Sequence, residues 1–252
     1  MIKMKLKDKV ALVTGSSKGI GEAIARKFAS EGANIIIAYN KNRQLALSLE
    51  GELVRLSSTS HLPVRLDVSS LDSIKEAVKY ALDEFGRIDI LVNNAATYYR
   101  NRFEDATEEI WEETFNTNVR GPYFLTKEIS KHMLERKSGN IINITSDIAA
   151  GVKIGTGLEY GASKACLDYL TRSLAATLAP TIRVNAIAPG YTISDMSNLA
   201  NDPDKLEKAN NDNPLGRVNV PEDVAQTALF LASDDSRNIS GETIYLNGGK
   251  HL

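Results

Sequence analysis

Cysteine is nearly absent from this chain of 252 residues: Cys166 stands alone. No intramolecular disulfide can form, and a reducing compartment is the natural setting. Long apolar runs are missing too, since no stretch approaches the roughly 18 residues of a membrane-spanning helix. The four lysines among residues 1–9 have no hydrophobic segment behind them, unlike a signal peptide or an anchor. Charge of either sign is not in excess. Lys plus Arg is 30, Asp plus Glu is 32, and the net charge is -2, which removes the electrostatic case for nucleic acid or an anionic membrane as partner. The histidines, His61, His132 and His251, are scattered without metal-ligand spacing. No Pro/Gly/Ser-rich linker, internal repeat or low-complexity tract divides the chain. The expectation is therefore one domain over residues 1–252, cytoplasmic, with enough apolar material (42%) for a sizeable core.

What is present alternates. Residues 10–14 form a short apolar run ending at a glycine, and residues 20–30 carry Ile20, Ala23, Ile24 and Phe28 at helical spacing. Residues 34–39 include three consecutive isoleucines, the pattern of a strand buried on both faces. The same reading predicts helices over 42–56, 70–85, 107–133, 160–178 and 221–232. Strands are predicted over 64–66, 88–92, 140–145, 182–188 and 242–246. Strand–helix alternation of this kind gives a three-layer α/β/α fold: a doubly wound, Rossmann-type parallel sheet with helices on both faces. Ligands then bind at the carboxyl ends of the strands.

Between the first strand and first helix lies Thr14-Gly15-Ser16-Ser17-Lys18-Gly19-Ile20-Gly21. Glycines there let the turn tighten and bring backbone amides, with a helix N-terminus behind them, up to a pyrophosphate. The glycine pattern alone is also that of an ordinary turn; its place between a buried strand and an amphipathic helix makes it specific. An NAD-selective site ends its second strand with a carboxylate for the ribose 2′-hydroxyl. Here the chain reads Tyr39-Asn40-Lys41-Asn42-Arg43. Lys18, Lys41 and Arg43 offer cations for a 2′-phosphate, so NADP(H) is the expected cofactor; all three also read as solvated surface cations, and for Arg43 that reading is preferred.

Tyr160 and Lys164, four apart, share one face of the predicted helix. A free tyrosine is a poor proton donor or acceptor near neutrality, and a cation beside it lowers its pKa and suits it to acid–base work. Such a pair occurs by chance in many helices and gains meaning only with its surroundings. Those are Thr14-Gly15-x3-Gly19-x-Gly21, Asp67-Val68, Asn93-Asn94-Ala95-Ala96, Asn118, Ser146, Tyr160-x3-Lys164 and Pro189-Gly190.

In that order and spacing, over residues 7–249, the chain resembles the short-chain dehydrogenase/reductase family of the compact single-domain type. The resemblance implies that Tyr160 is the general acid in reduction and that Ser146 hydrogen-bonds the same substrate oxygen. It implies that Lys164 binds the nicotinamide ribose and lowers the tyrosine pKa, and that Asn118 holds a water linking Lys164 to solvent. Asp67 and Val68 would meet the adenine, Asn94 and Ala95 would line the cofactor, and Pro189, Gly190 and Thr192 would surround the carboxamide. Gly15, Ser17, Lys18, Gly19, Ile20, Gly21, Asn40 and Lys41 complete the cofactor set. Thr145 and Asp147 stand one register from Ser146; Asn118 also reads as a plain helix asparagine, and Cys166 as packing.

The chain departs from the family pattern at Ala96, where relatives carry glycine, and in the short connection near Pro180, which looks more like pteridine reductases. Tyr160 keeps the short spacing to Lys164, and residue 157 is glycine, unlike an enoyl-reducing branch that spaces the pair more widely. Carbonyl reduction with NADPH is expected, on a 3-oxoacyl thioester of acyl carrier protein. Pteridine, sugar or other small-carbonyl reduction is the alternative, and a nucleotide-sensing protein without turnover is a third. Residues 148–159 are expected to wall the substrate site and the polar stretch 192–216 to form a mobile substrate loop. The resemblance further implies a homotetramer, with helices 107–133 and 160–178 in the dimer contacts.

Overall fold

The computed structural model describes residues 4–151 and 157–250. Part of the expected 148–159 wall, residues 152–156, lies outside them, as does His251. The strands are β1 (Val10–Thr14), β2 (Asn34–Tyr39), β3 (His61–Arg65), β4 (Ile90–Asn93), β5 (Gly139–Ile144), β6 (Ile182–Pro189) and β7 (Thr243–Leu246). They form one sheet in the order β3-β2-β1-β4-β5-β6-β7, and every neighbouring pair is parallel. The doubly wound expectation holds.

The isoleucine run of β2 shows why the sheet is buried on both sides. Side chains alternate across a strand, so Ile35 and Ile37 enter one core while Ile36 enters the other. In β1, Ala11 and Val13 divide from Val10 and Leu12 in the same way. The first core is closed by α1 (Gly19–Ser30), α2 (Arg43–Leu56) and α8 (Pro221–Ala232), through residues such as Phe28, Leu53 and Leu229. The second is closed by α3 (Leu71–Phe85), α5 (Gly121–Glu135) and α6 (Leu158–Leu178), through Ile74, Ile129 and Ala175. Each fully buried isoleucine contributes about 1.5–3 kcal/mol relative to exposure.

Three elements differ from the sequence expectation. Strand β3 begins at His61 rather than Val64 and pairs from Ile35↔His61 to Tyr39↔Arg65. Its start is a histidine, and it includes Pro63, which lacks a backbone donor and is accepted at a sheet edge. The predicted helix 107–133 runs on continuously but loosens in its middle, as α4 (Glu108–Phe115), a π-helical turn (Asn116–Arg120) and α5. Just after that turn a Cβ on Gly121 would lie 2.7 Å from the Val68 carbonyl oxygen, so the backbones meet too closely for a side chain. Within the stretch 192–216 there is a helix, α7 (Pro203–Asn211), capped by Asp202, whose side chain accepts from the Lys205 amide at 3.0 Å. Leu199, Ala209 and Val218 bury a small core of their own beneath it.

The sheet divides at β1 and β4, which are neighbours although β2 and β3 intervene in sequence. Thr14 bonds across the division: its hydroxyl donates to the Val92 carbonyl at 3.2 Å and accepts the amides of Asn94 and Ala95 at 2.9 Å each.

Candidate active site

A cleft of about 1100 Å3 crosses the carboxyl ends of the strands. Its lining follows strand ends in turn: Gly15 after β1, Asn40 and Lys41 after β2, Asp67 and Val68 after β3, Asn94 and Ala95 after β4, Ser146 after β5, and Gly190 after β6. Ser17, Lys18, Gly19, Ile20, Tyr160, Lys164, Pro189 and Thr192 line it as well. Of the residues expected at the site, Gly21 and Asn118 stand behind the surface rather than on it.

Gly21 is a packing position. A Cβ there would stand 2.5 Å from both Asn94 Nδ2 and the Gly15 oxygen. The Asn94 side chain donates instead to the Thr14 and Gly15 carbonyls at 2.8 and 3.3 Å, which fastens the glycine loop to β4. Gly19 has φ +59 and its missing side chain leaves open space. Lys18, at the N-cap of α1, makes no side-chain capping bond, so the first amides of that helix keep their capacity to bind an anion. This cradle fits a dinucleotide pyrophosphate.

Asn118, fully buried, sits in the π-helical turn. Its Oδ1 accepts the Thr97 amide at 2.9 Å, and its Nδ2 donates to the Thr97 carbonyl and Ser163 Oγ at 3.0 Å each. The side chain is a strut between the loop after β4 and α6.

Tyr160, Lys164 and Ser146 occupy one wall. Lys164 is 2% exposed, and its ammonium donates to the Ile144 carbonyl at 2.7 Å, 5.5 Å from the centre of the Tyr160 ring. Ser146, at the end of β5, donates to Asp147 Oδ1 and accepts the Ile148 amide, both at 3.5 Å. Tyr98 meets the Tyr160 ring edge-on at 5.1 Å between centres. Gly157 makes room for it: φ is +69, and a Cβ would fall 2.4 Å from the Tyr98 ring.

At the far end of the cleft, Met196 and Lys205 come from the expected substrate stretch 192–216, while Tyr98, Arg100, Tyr191 and Lys250 were not expected there. None belongs to a spacing pattern; tertiary folding alone brings them together. Lys18, expected at a 2′-phosphate, pairs here with Asp195 of the substrate loop at 3.0 Å.

A family model described as enoyl-(acyl carrier protein) reductase matches residues 15–251. The 3-oxoacyl-(acyl-carrier-protein) reductase of Staphylococcus epidermidis is 36% identical over 246 residues, covering 97% of this chain and 100% of that protein. The enzyme of the same name from Thermotoga maritima is 38% identical over 248 residues, covering 98% and 99%. A short chain dehydrogenase from Burkholderia cenocepacia, solved in complex with NADP, matches with a TM-score of 0.92 and 30% identity, covering 98% of this chain and 100% of that one. The chain belongs to the short-chain dehydrogenase/reductase family.

As a short-chain dehydrogenase/reductase it is an oxidoreductase, and the electrostatics of its tyrosine–lysine pair are set by burial. Desolvation pushes the Tyr160 phenol above its ordinary value; a hydrogen bond with Ser146 pulls it back, and Asp147 and Tyr98 push it further up. The expected lowering by Lys164 is not found. The ammonium lies toward the ring and is held by the Ile144 carbonyl, and burial pushes its own pKa down to about 7.

Unfolded, Lys164 keeps its proton to its ordinary value of 10.5, whereas folded it releases it at about 7. Between those values the unfolded chain binds more protons, so the Lys164 contribution to stability rises with pH; it is full above 10.5 and is lost as pH falls through 7. Urea midpoints measured at pH 7 and 9.5 are expected to rise with pH more steeply in the natural protein than in Lys164→Met. Equal slopes in the two proteins would contradict this account.

Proposed function

We propose that the chain reduces a carbonyl to an alcohol with NADPH, acting as one catalytic unit, with a 3-oxoacyl thioester on acyl carrier protein as the substrate class. The observation that carries this reading is the convergence of Tyr160, Ser146 and Lys164 on one wall of a cleft that the glycine loop also lines. The substrate class is supported by the relatives that cover nearly the whole chain. The description of the matching family model names enoyl reduction; the four-residue spacing of Tyr160 and Lys164 favours ketone chemistry, by the family resemblance.

The glycine-loop amides and the N-terminus of α1 would hold the pyrophosphate, and Asp67 and Val68 the adenine. Asn40 and Lys41 stand exposed after β2 with no carboxylate among residues 39–43, which supports the phosphorylated cofactor. Asn94 and Ala95 form the floor, and Pro189, Gly190 and Thr192 bound the nicotinamide end. NADPH, when bound, supplies the hydride. Tyr160 then gives the proton. Burial raises the phenol above its ordinary value and keeps it protonated but a weaker acid, so efficient donation calls for the lowering that a charged Lys164 beside the bound ribose would supply. Ser146 hydrogen-bonds the same substrate oxygen and orients it. Lys164 holds the ribose, where an added hydrogen-bond acceptor would restore its charge, and the main chain of Asn118 supports a water leading from Lys164 to solvent.

A small polar carbonyl compound is the second reading, favoured by the cations Arg100 and Lys205 at the substrate end. The complete Asn118–Ser146–Tyr160–Lys164 set argues against a non-catalytic nucleotide sensor. We also infer a cytoplasmic homotetramer. Sedimentation is expected to give four copies of the 27.5-kDa chain; a stable single chain would refute it.

NADPH oxidation is expected with a 3-oxoacyl thioester, and Tyr160→Phe is expected to abolish turnover while NADPH still binds. Near-normal rates in that variant would move the acid elsewhere. Asn40→Asp is expected to shift the preference from NADPH toward NADH; an unchanged ratio of kcat/KM for the two cofactors would place the 2′-phosphate contacts at other residues.

A further inference from the structure

The substrate end of the cleft carries positive charge that no ion pair among the described residues neutralises. Arg100 Nη2 donates to the Ser197 carbonyl at 2.8 Å and approaches the Met196 carbonyl at 3.5 Å, and Lys205 Nζ donates to the same Ser197 oxygen at 2.6 Å. Neither cation pairs with a carboxylate among the described residues. Lys250, 4.2 Å from the centre of the Tyr191 ring, adds a third positive charge to the same lining.

The acidic groups of the cleft are engaged elsewhere. Glu113 accepts the Tyr99 hydroxyl at 2.5 Å, Asp195 pairs with Lys18, Asp67 accepts the Ser69 amide and hydroxyl, and Asp147 accepts from Ser146. The chain as a whole has a net charge of -2, so this local excess is not a general property of the surface.

Holding a loop takes one neutral donor. Two cations on one uncharged oxygen repel each other, and an anion placed between them would pair with both. Arg100 is also fixed in place. Two residues before it, Tyr98 packs on Tyr160. The next residue, Asn101, accepts the Gly157 amide at 3.1 Å through its carbonyl and donates from its side chain to the buried Glu159 carboxylate at 3.0 Å.

We propose that Arg100 and Lys205 form an anion subsite that receives a carboxylate or phosphate carried by the carbonyl substrate itself. The inference rests on carbonyl reduction at Tyr160. A free oxo acid would bring the carboxylate; a pantetheine arm would bring the phosphate.

The test compares charged and neutral partners with NADPH: 3-oxobutanoate against its methyl ester, and 3-oxobutanoyl-4′-phosphopantetheine against 3-oxobutanoyl-pantetheine. In at least one pair the charged compound is expected to have a kcat/KM about tenfold higher, as charge-assisted bonds to two cations require. The pair that shows it identifies the source of the anion. In the Arg100→Gln/Lys205→Gln protein that ratio is expected to fall toward one. The inference is overturned if neither pair shows a charge preference, or if the preference survives in the double variant. It is also overturned if charged and neutral compounds lose rate equally there, which is the signature of a loop clamp alone.

Should the double variant not fold, the natural protein decides. Its charged-to-neutral ratio is expected to fall as salt rises, and a salt-independent ratio overturns the inference. If no compound is turned over, carbonyl reduction fails as the reading. The subsite is then judged by calorimetric titration of the NADP-loaded protein with 3-hydroxybutanoate against its methyl ester and with 4′-phosphopantetheine against pantetheine. The same tenfold difference in Kd is expected, and equal affinities within both pairs overturn it.

Discussion

The Thr14 hydroxyl joins the two halves of the sheet where the chain parts to opposite sides. By donating to Val92 and accepting the amides of Asn94 and Ala95, it holds the end of β1 against the end of β4. Everything at the cofactor end is referred to that junction. The Asn94 side chain ties down the glycine loop from there, and the absence of a side chain at Gly21 lets α1 approach. Buried amides without partners are costly, so a single hydroxyl serving three backbone groups keeps the crevice open and its rim satisfied.

The opposite wall depends on a charge removed from water. Among the described residues, Lys164 has one hydrogen-bond partner, a backbone carbonyl of β5, and no carboxylate pairs with its cation. Its proton is therefore loosely held, while the neighbouring phenol holds its proton firmly. The two groups are pushed in the directions that desolvation dictates for a base and an acid. Chemistry at this wall calls for a ligand that supplies the missing polar partners, which links cofactor binding to the state of the pair.

The loops over the cleft meet one another through polar contacts. Lys18 of the glycine loop reaches Asp195 of the substrate loop, and Arg100 and Lys205 meet on Ser197. The exposed Lys18–Asp195 ion pair contributes little stability, and the bonds to the Ser197 carbonyl leave both cations unneutralised. These contacts are easily exchanged for contacts to an anionic ligand, and a 2′-phosphate competing for Lys18 would release the substrate loop from the glycine loop.

The sequence by itself determined the doubly wound sheet, because buried strands and amphipathic helices write their periods locally; the isoleucines of β2 and the spacing of Phe28 and Ile24 in α1 are read without knowledge of their partners. Most of the residues that the family resemblance implies for the cofactor end line the cleft, many of them directly after a strand end, whereas Gly21 packs behind it. Local signals were weaker where packing overrode them. Strand β3 starts with a histidine and carries a proline at an edge, the helix after residue 107 takes a π-helical turn just before Gly121 meets the Val68 carbonyl, and the Asp202–Pro203 cap of α7 passes unnoticed in a polar stretch. Only the tertiary structure decided that Asn118 is a strut, that Lys164 does not lower the Tyr160 pKa, that Lys18 faces Asp195, and that Arg100 and Lys205 share one oxygen. Those outcomes depend on distance and desolvation between segments far apart in the chain, and no spacing within one segment encodes them.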